Sequence, residues 1–383
     1  MVNLHFLEGI NMSEWKEYKL GNIAEILDFK RKPLSSMERS KRKGKYPYYG
    51  ASGVIDFIDG YIFDGEYVLI SEDGENLRSR QTPIAFLANG QFWVNNHAHI
   101  VKSDYLHNRL ICYCLENMDL NPYLTGAVQP KLNQDALNNI PFFLPESLQE
   151  RQEIVIIISS LDDKIDLLHR ENATLEAMAE TLFRQWFIEE AKEDDMCLLG
   201  EVIKTTSGGT PSRKNEEYYC NGNIEWVKSK ELHHSYILDT EEKITIEAVH
   251  NSSAKLLPEN SILIAMYGAT VGEYGIIAKS MTCNQAICAL IPNEKYPYTY
   301  LYLWAKFMQD EFINLACGAA QQNISQELIK QQYVSDDIKL ISDFHILVNP
   351  YMEKMKVNQE QIQTLIQTRD GLFPKLMSGE VKI

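Results

Sequence analysis

A chain of 383 residues, 45% apolar and 23% charged, is long enough for two or three globular domains. No apolar run approaches the ~20 residues of a membrane-spanning helix, and the opening Met1-Val-Asn-Leu-His-Phe-Leu7 lacks the basic start and apolar core of a secretory signal, so a cytoplasmic protein with no membrane partner is expected. Seven cysteines without a Cys-x-x-Cys pair fit reduced thiols better than a zinc ribbon or a disulfide framework, and a net charge of −16 excludes a uniformly basic nucleic-acid coat.

In chain order, residues 1–11 read as an N-terminal arm before a new start at Met12-Ser-Glu-Trp15. Residues 12–145 form a mixed domain. Its short β-branched and aromatic runs (Tyr67–Ile70, Phe92–Val94, His99–Val101) are separated by glycine turns and followed by a helical stretch near Leu106–Met118. Residues 146–195 hold a long helix and end in an acidic linker, Glu189 to Asp195. A second mixed domain spans 196–342. A second helix, from Phe344 to Met377 within 343–383, ends at Ser378-Gly379, where glycine suits a C-cap.

In the first long helix Leu161, Ile165, Leu168, Asn172, Leu175, Ala179, Leu182 and Trp186 fall at alternating steps of four and three. This heptad seam calls for a partner helix, and at 1.5 Å per residue it spans ~40 Å.

The two halves repeat one another. Pro33 and Gly44 match Pro211 and Gly222, Val68–Ile70 matches Ile262–Ile264, and Asn96-His97-Ala98 matches Asn284-Gln285-Ala286. Gly126-Ala-Val-Gln129 matches Gly318-Ala-Ala-Gln321, with Asn133 and Asn323 following. In the helices Ile165, Leu175, Leu182 and Phe183 match Met355, Leu365, Leu372 and Phe373 at one constant offset. The expected fold is therefore α+β: a tandem duplication of a globular α/β domain followed by a long helix. The second domain starts where the first helix ends, so the two helices are expected to pack as an antiparallel coiled coil with pseudo-two-fold symmetry. Asn172 and Asn358 are candidates for fixing its register.

Catalytic signatures are missing from the sequence. There is no phosphate loop and no Gly-x-Gly-x-x-Gly. Asn121-Pro122-Tyr123 and Asn349-Pro350-Tyr351 lack the second proline of an amino-methyltransferase turn and read as helix boundaries. His97 and His99 have no third metal ligand at useful sequence spacing. No catalytic residue, bound cofactor or metal is expected in this chain.

Charge distribution points instead to binding. Residues 146–196 carry 5 basic and 14 acidic groups, whereas 12–145 carry 15 and 16. An acidic rod suits a basic protein partner, or is simply a solvated helix surface. Between residues 30 and 45 lie eight basic side chains and one acid: Lys30, Arg31, Lys32, Arg39, Lys41, Arg42, Lys43 and Lys45, with Glu38. Such a run supplies phosphate contacts. Lys131 adds a cation in the turn before Asn133. At the equivalent place in the second half stands Ser207-Gly208-Gly209-Thr210-Pro211-Ser212-Arg213-Lys214. There two glycines could expose backbone N–H groups and Ser207, Thr210, Ser212, Arg213 and Lys214 could bind phosphate. Lys228, Lys230 and Gln322 complete the candidate DNA-binding set. Gln322 lies in an amide-rich turn suited to base edges, although asparagines in such turns also cap helices.

The segments Leu148-Gln-Glu-Arg-Gln152-Glu-Ile154, Leu161-Asp-Asp-Lys-Ile165, Leu182-Phe183-Arg-Gln-Trp186-Phe187, Gly268-Ala-Thr-Val-Gly272, Gln322-Asn-Ile-Ser325 and Leu376-Met-Ser-Gly-Glu-Val381 lie between residues 148 and 381, and the likeness they belong to covers residues 12–383. With Ser207–Arg213 they make the chain resemble the DNA-specificity subunit of a type I restriction–modification enzyme. The first half has Lys-Arg-Lys-Pro33 where the second has Gly-Gly-Thr-Pro211, and Ile154–Ile158 is unusually β-branched for a helix start.

The resemblance implies two target-recognition domains, each reading half of a bipartite, asymmetric site in double-stranded DNA. It implies spacer helices on which two methylation subunits dock, with restriction/translocase subunits joining through the complex. S-adenosylmethionine, ATP and Mg would then sit on those partners. The alternatives are a coiled-coil adaptor that binds only protein, and the recognition part of a fused methyltransferase or nuclease.

Overall fold

The computed structural model describes residues 15–103, 107–126, 128–190, 196–317 and 323–381. The expected arm at 1–11, most of the acidic linker and Gln322 lie outside the described residues. The chain divides into two compact units, Met1–Lys164 with Ile366–Ile383, and Ile165–Leu365.

The first unit is built on a four-stranded antiparallel sheet in the order Glu25–Ile26, Ala98–Lys102, Tyr67–Ser71, Ala85–Ala88. Tyr67–Ser71 is a continuous apolar run because both of its faces are covered. Val68 and Ile70 pack with Leu110, Ile111 and Leu115 of the helix Asn108–Asn117, while Leu69 packs with Ile100, Phe92 and Val94 on the other side. A second sheet has the order Gly53–Ile58, Lys43–Gly50, Gln91–Val94, Phe63–Asp64, with the middle pair parallel. Trp15–Lys19 pairs antiparallel with Pro141–Pro145, so the chain's entry to and exit from this domain are clasped together.

The second unit repeats this plan. Its central sheet runs Lys204–Ser207, Ile287–Ile291, Ile262–Ala265, Tyr274–Ile277, Tyr236–Ile237. A smaller sheet holds Lys243–Ile244, Ile224–Val227 and Thr282–Cys283. Met196–Leu198 and Tyr333–Ser335 form the equivalent clasp. Gly44 and Gly222, matched by the repeat, both lie against a neighbouring backbone, where an added Cβ would come within 2.4 Å of Ile58 O and 2.6 Å of Lys243 C. All seven cysteines are free; burial raises the thiols of Cys114, Cys283 and Cys288 to about 12, so they pack as neutral groups.

The long helices are Leu148–Arg184, continued by one wide turn at Gln185–Glu189, and Ile338–Met377. The second begins six residues before the expected Phe344, because the Asp337 carboxylate accepts the Leu340 N–H at 2.9 Å and caps it. Its end matches expectation: Gly379 has φ +71° and donates to Leu376 O.

The sequence misplaces Asn349-Pro350-Tyr351, which lies inside this helix and not at its boundary. Proline removes one backbone bond, to Ile346, but Ile346 is 69% exposed and Pro350 is exposed, so water can serve the freed carbonyl. The β-branched start of the first helix is explained by burial. Ile154, Val155 and Ile158 are all buried in the first domain's core, and packing outweighs their modest helix propensity.

The helices run antiparallel wherever they meet within a unit. In the first unit Asp162 accepts from Arg369 at 2.8 Å while Ile154 and Ile158 share a core with Phe373 and Leu376. In the second, Phe183 and Phe187 pack on Phe344, whereas Asn172 meets Asn358. The seam holds the interior through Ile165, Leu168 and Ala179, with Leu161, Asn172 and Leu175 half-buried, as far as Ala179. Beyond it Phe183 and Phe187 take the interior and Leu182 and Trp186 are only half-buried, because a straight helix drifts off a seven-residue repeat.

The two asparagines bond to each other: Asn358 Nδ2 donates to Asn172 Oδ1 at 2.8 Å and to Glu171 at 3.0 Å. Asn358 is fully buried, and its Oδ1 has no partner. This pair trades stability for a defined register. Replacing Asn172 alone with leucine should cost about 1–3 kcal/mol in urea unfolding, since it strands Asn358 further. The N172L/N358L double variant should recover that loss; additive losses would show that the pair does not act as one unit.

Candidate nucleic-acid interface

In each domain the same loops converge at one end of the central sheet. In the first, Leu132 N–H donates to Glu72 O, Glu72 N–H to His97 O and Gly74 N–H to Pro130 O. In the second, Ile324 N–H donates to Met266 O and Met266 N–H to Ala286 O. The backbone frame is shared, but the side chains set on it differ.

The first confluence is held by charge. Leu27 is buried and hydrogen-bonded to Ile100, which turns Asp28 inward toward His99 at 2.5 Å. Arg31 pairs with Glu72 at 2.6 Å and Asp28 at 3.2 Å, and donates to Ala98 O at 3.0 Å. Lys131 closes on Glu72 at 3.1 Å. Burial alone would raise the Glu72 carboxyl, but hydrogen bonds from Arg31 and Lys131 outweigh it and hold it below the ordinary range.

The sequence shows no third ligand beside His97 and His99, yet the fold brings Asp28, Glu72 and His99 within ligand distance of one another. This cluster is an ion-pair network and not an open metal site. Arg31 and Lys131 already neutralise its carboxylates, and both nitrogens of His99 face acceptors, Asp28 and the Leu132 carbonyl.

The basic run divides into two groups. Ser35 and Glu38 form a capping box that starts the short helix Ser36–Ser40. Arg39 lies over Tyr48, donates to Leu34 O and reaches Asp56. Arg42 lies over Trp93 and pairs with Asp59 at 2.7 Å, and Lys43 pairs with Asp56 at 2.7 Å. Arg31, Arg39 and Arg42 are thus half-buried structural cations. By contrast Lys30, Lys32, Lys41 and Lys45 are exposed, and among the described residues none has a carboxylate within ion-pair distance.

In the second domain the expectation that Gly208 and Gly209 expose their N–H groups is overturned. Gly209 N–H donates to Cys283 O at 2.9 Å and Gly208 N–H to Ile287 O at 3.3 Å. The glycines are required because a Cβ would fall 2.2 Å from Cys283 O or 2.3 Å from Ser253 C. Ser207 donates to Gln326 at 2.8 Å, and Thr210 donates to Gln285. Arg213 stacks over Tyr219 at 4.3 Å and pairs with Glu242 at 2.6 Å. Lys228 reaches Glu241 and Glu242, and Lys230 reaches Glu241. Hydrogen bonds from Lys228 and Lys230 hold the Glu241 carboxyl down at about 2. Ser212 and Lys214 are exposed, and Lys214 has no carboxylate partner among the described residues.

Sequence reasoning passed over the acids that neutralise these cations. Glu72, Asp56 and Asp59 are distant from their partners along the chain and give no local signal, although Asp28, three residues before Arg31, and the adjacent Glu241-Glu242 are visible. It also passed over Tyr267, 44% exposed, which bridges to Asn323 beside Gly268 with φ +71°. Asn133 does cap its helix, accepting from Ala136 N–H at 2.8 Å, whereas Ser325 takes that role in the second domain.

The duplicated frame has counterparts. Residues 12–177 and 193–335 match the type I restriction modification DNA specificity domain. The chain belongs to this family. Members of the family recognise DNA by sequence, and specificity subunits are its non-catalytic components. The chain is 26% identical to the type I restriction enzyme MjaIX specificity subunit of Methanocaldococcus jannaschii, over 97% of each protein. A 156-residue stretch is 40% identical to a putative type I restriction enzyme specificity subunit of Haemophilus influenzae, covering 40% of this chain and 38% of that one. The crystal structure of a type I restriction-modification S subunit from M. genitalium shares the fold, with a TM-score of 0.66 at 14% identity over 96% of this chain and 97% of that one. No helix among the described residues is long and apolar enough to cross a membrane.

In this specificity-domain chain Arg31 is expected to matter for stability first. Arg31→Met should lower the unfolding free energy by roughly 3 kcal/mol at neutral pH, because it leaves Glu72 under-compensated in a partly buried site. Glu72 has a depressed folded value, so its contribution is complete above its ordinary 4.5 and fades as pH falls through the folded value. The wild-type-to-variant difference in urea unfolding should therefore shrink in acid; a difference independent of pH would remove Glu72 from the account.

Proposed function

We propose that this chain is a specificity subunit whose two domains each read one half of a bipartite, asymmetric site in double-stranded DNA. The observation that carries the proposal is the pair of loop confluences on one duplicated frame with unlike side chains: Arg31, Glu72, His99 and Lys131 in one, Ser207, Thr210, Gln285 and Gln326 in the other. A repeated frame fits two half-sites, and different side chains fit different base sequences. The full-length likeness to a curated specificity subunit supports the same reading.

The two long helices are the proposed spacer and dock for two methylation subunits, with restriction/translocase subunits joining through the complex. On this reading the chain holds no cofactor. S-adenosylmethionine, ATP and Mg belong to the partners, and the assembly works in the cytoplasm. The chain's own share is to place phosphate-binding cations and base-reading polar groups against the duplex.

Mapping methylated bases in cells that carry the system tests this reading directly. A bipartite motif is expected, and exchanging residues 197–342 for those of another family member should change one half of it and leave the other intact. A continuous motif, or a change in both halves, would overturn the two-reader scheme.

The free lysines give a second measurement. In the assembled complex, replacing Lys30, Lys32, Lys41 and Lys45 with methionine should weaken DNA binding and lower the slope of log affinity against log salt by up to about 4. Charge reversal at Lys41, Arg42 and Lys43 should act in the same direction. An unchanged salt slope would mean these side chains do not meet phosphate.

A further inference from the structure

The strand Gly53–Ile58 is an edge strand, the outer member of its four-stranded sheet. Natural edge strands are commonly protected by charge, proline or a covering loop. This one instead exposes Val54 (45%), Ile55 (53%) and Phe57 (52%). Phe57 stands opposite Pro47 in the paired strand Lys43–Gly50. Ile55 falls at the register shift between Tyr48 and Tyr49, which leaves it unpaired and turned outward.

Charge on the ribbon is one-sided. Its one acid, Asp56, is neutralised by Lys43 and Arg39, and Asp59 just after it by Arg42. Hydrogen bonds from Lys43 and the Phe57 N–H hold the Asp56 carboxyl below its usual range. Lys45 on the neighbouring strand and Lys41 just before it have no carboxylate partner among the described residues. Glu38, bonded to Ser35 at the start of the short helix, offsets part of the Lys41 charge, so the surface combines exposed apolar groups with positive charge centred on Lys45 and Lys41.

We infer that the ribbon Lys43–Ile58 of the first domain is a groove-contacting surface for duplex DNA, with Phe57 and Ile55 as its apolar contacts and Lys41 and Lys45 as its phosphate contacts. The inference rests on the reading of the chain as a DNA-specificity subunit and names the surface that this reading leaves open. A two-stranded ribbon fits the major groove, where an apolar side chain can meet the thymine methyl group and flanking lysines meet the backbone. A purely apolar protein partner would leave the lysines unanswered, and an acidic peptide would leave Phe57 and Ile55 unused.

The test uses the chain assembled with its methylation subunits, wild type against Phe57→Ser with Ile55→Ser, and separately Lys45→Met. Both serine positions are more than half exposed, and an unchanged thermal unfolding midpoint checks that the fold is intact. The serine variant should bind its cognate duplex roughly tenfold more weakly with the same salt slope, since apolar contacts release no counterions. Lys45→Met should lower the slope by about 1. Equal affinity and an unchanged modified motif in the serine variant would overturn the inference. Loss of self-association at unchanged DNA affinity would also overturn it, and would assign the edge to a second copy of the chain. If the wild-type complex binds DNA without sequence preference, the underlying reading fails first, whatever Phe57 does.

Discussion

Each globular domain of this chain finishes its core with the end of a long helix. In the second unit Phe183 and Phe187 enter a cluster with Tyr300 and Phe344, and in the first Phe373 and Leu376 enter one with Ile154 and Leu110. The helix end thus acts as a wall of the domain as well as a connector. Removing a buried phenylalanine of this kind typically costs ~3–5 kcal/mol. The register of the helices is consequently coupled to the packing of the domains, and the buried Asn172–Asn358 pair acts on both.

Much of this was legible in the sequence because it is periodic or repeated. The heptad seam gave the first helix, and the constant offset between Phe183 and Phe373 identified two positions that prove to have the same role in different units. The central strands follow the apolar runs, whereas the clasp strand Trp15–Lys19 is mostly polar and carries no such signal. Other features depend on residues far apart in sequence. Nothing local in Asn349-Pro350-Tyr351 reveals that a helix continues through it, since tolerance of the proline depends on exposure of Ile346. Nor does Ser207-Gly208-Gly209-Thr210 reveal that its N–H groups are taken by Cys283 and Ile287. A glycine pair that admits a neighbouring backbone and one that cradles an anion look the same in sequence.

The basic run shows the same limit in electrostatic form. Eight cations were visible between residues 30 and 45, but half of them have structural work: Arg31 inside the loop network, Arg39 on Tyr48, Arg42 on Trp93 and Lys43 on Asp56. Three of these four are arginines, whose planar, weakly hydrated head tolerates partial burial and ring stacking. The four left unpaired are all lysines. A charge count therefore overstates the binding surface about twofold here, and the arginine–lysine distinction sorts the two groups.

The contrast between the unpaired Lys30, Lys32, Lys41 and Lys45 of the first domain and the ion-paired Lys228 and Lys230 of the second bears on the order of events during DNA binding. Unpaired cations act over a Debye length, ~8 Å at physiological salt, whereas the hydroxyls and amides around Ser207 and Thr210 act only at contact. On the proposed function the first domain captures the duplex and sets the encounter rate. The second, whose Lys228, Lys230 and Arg213 already hold Glu241 and Glu242, engages afterwards and governs how long a chosen site is kept.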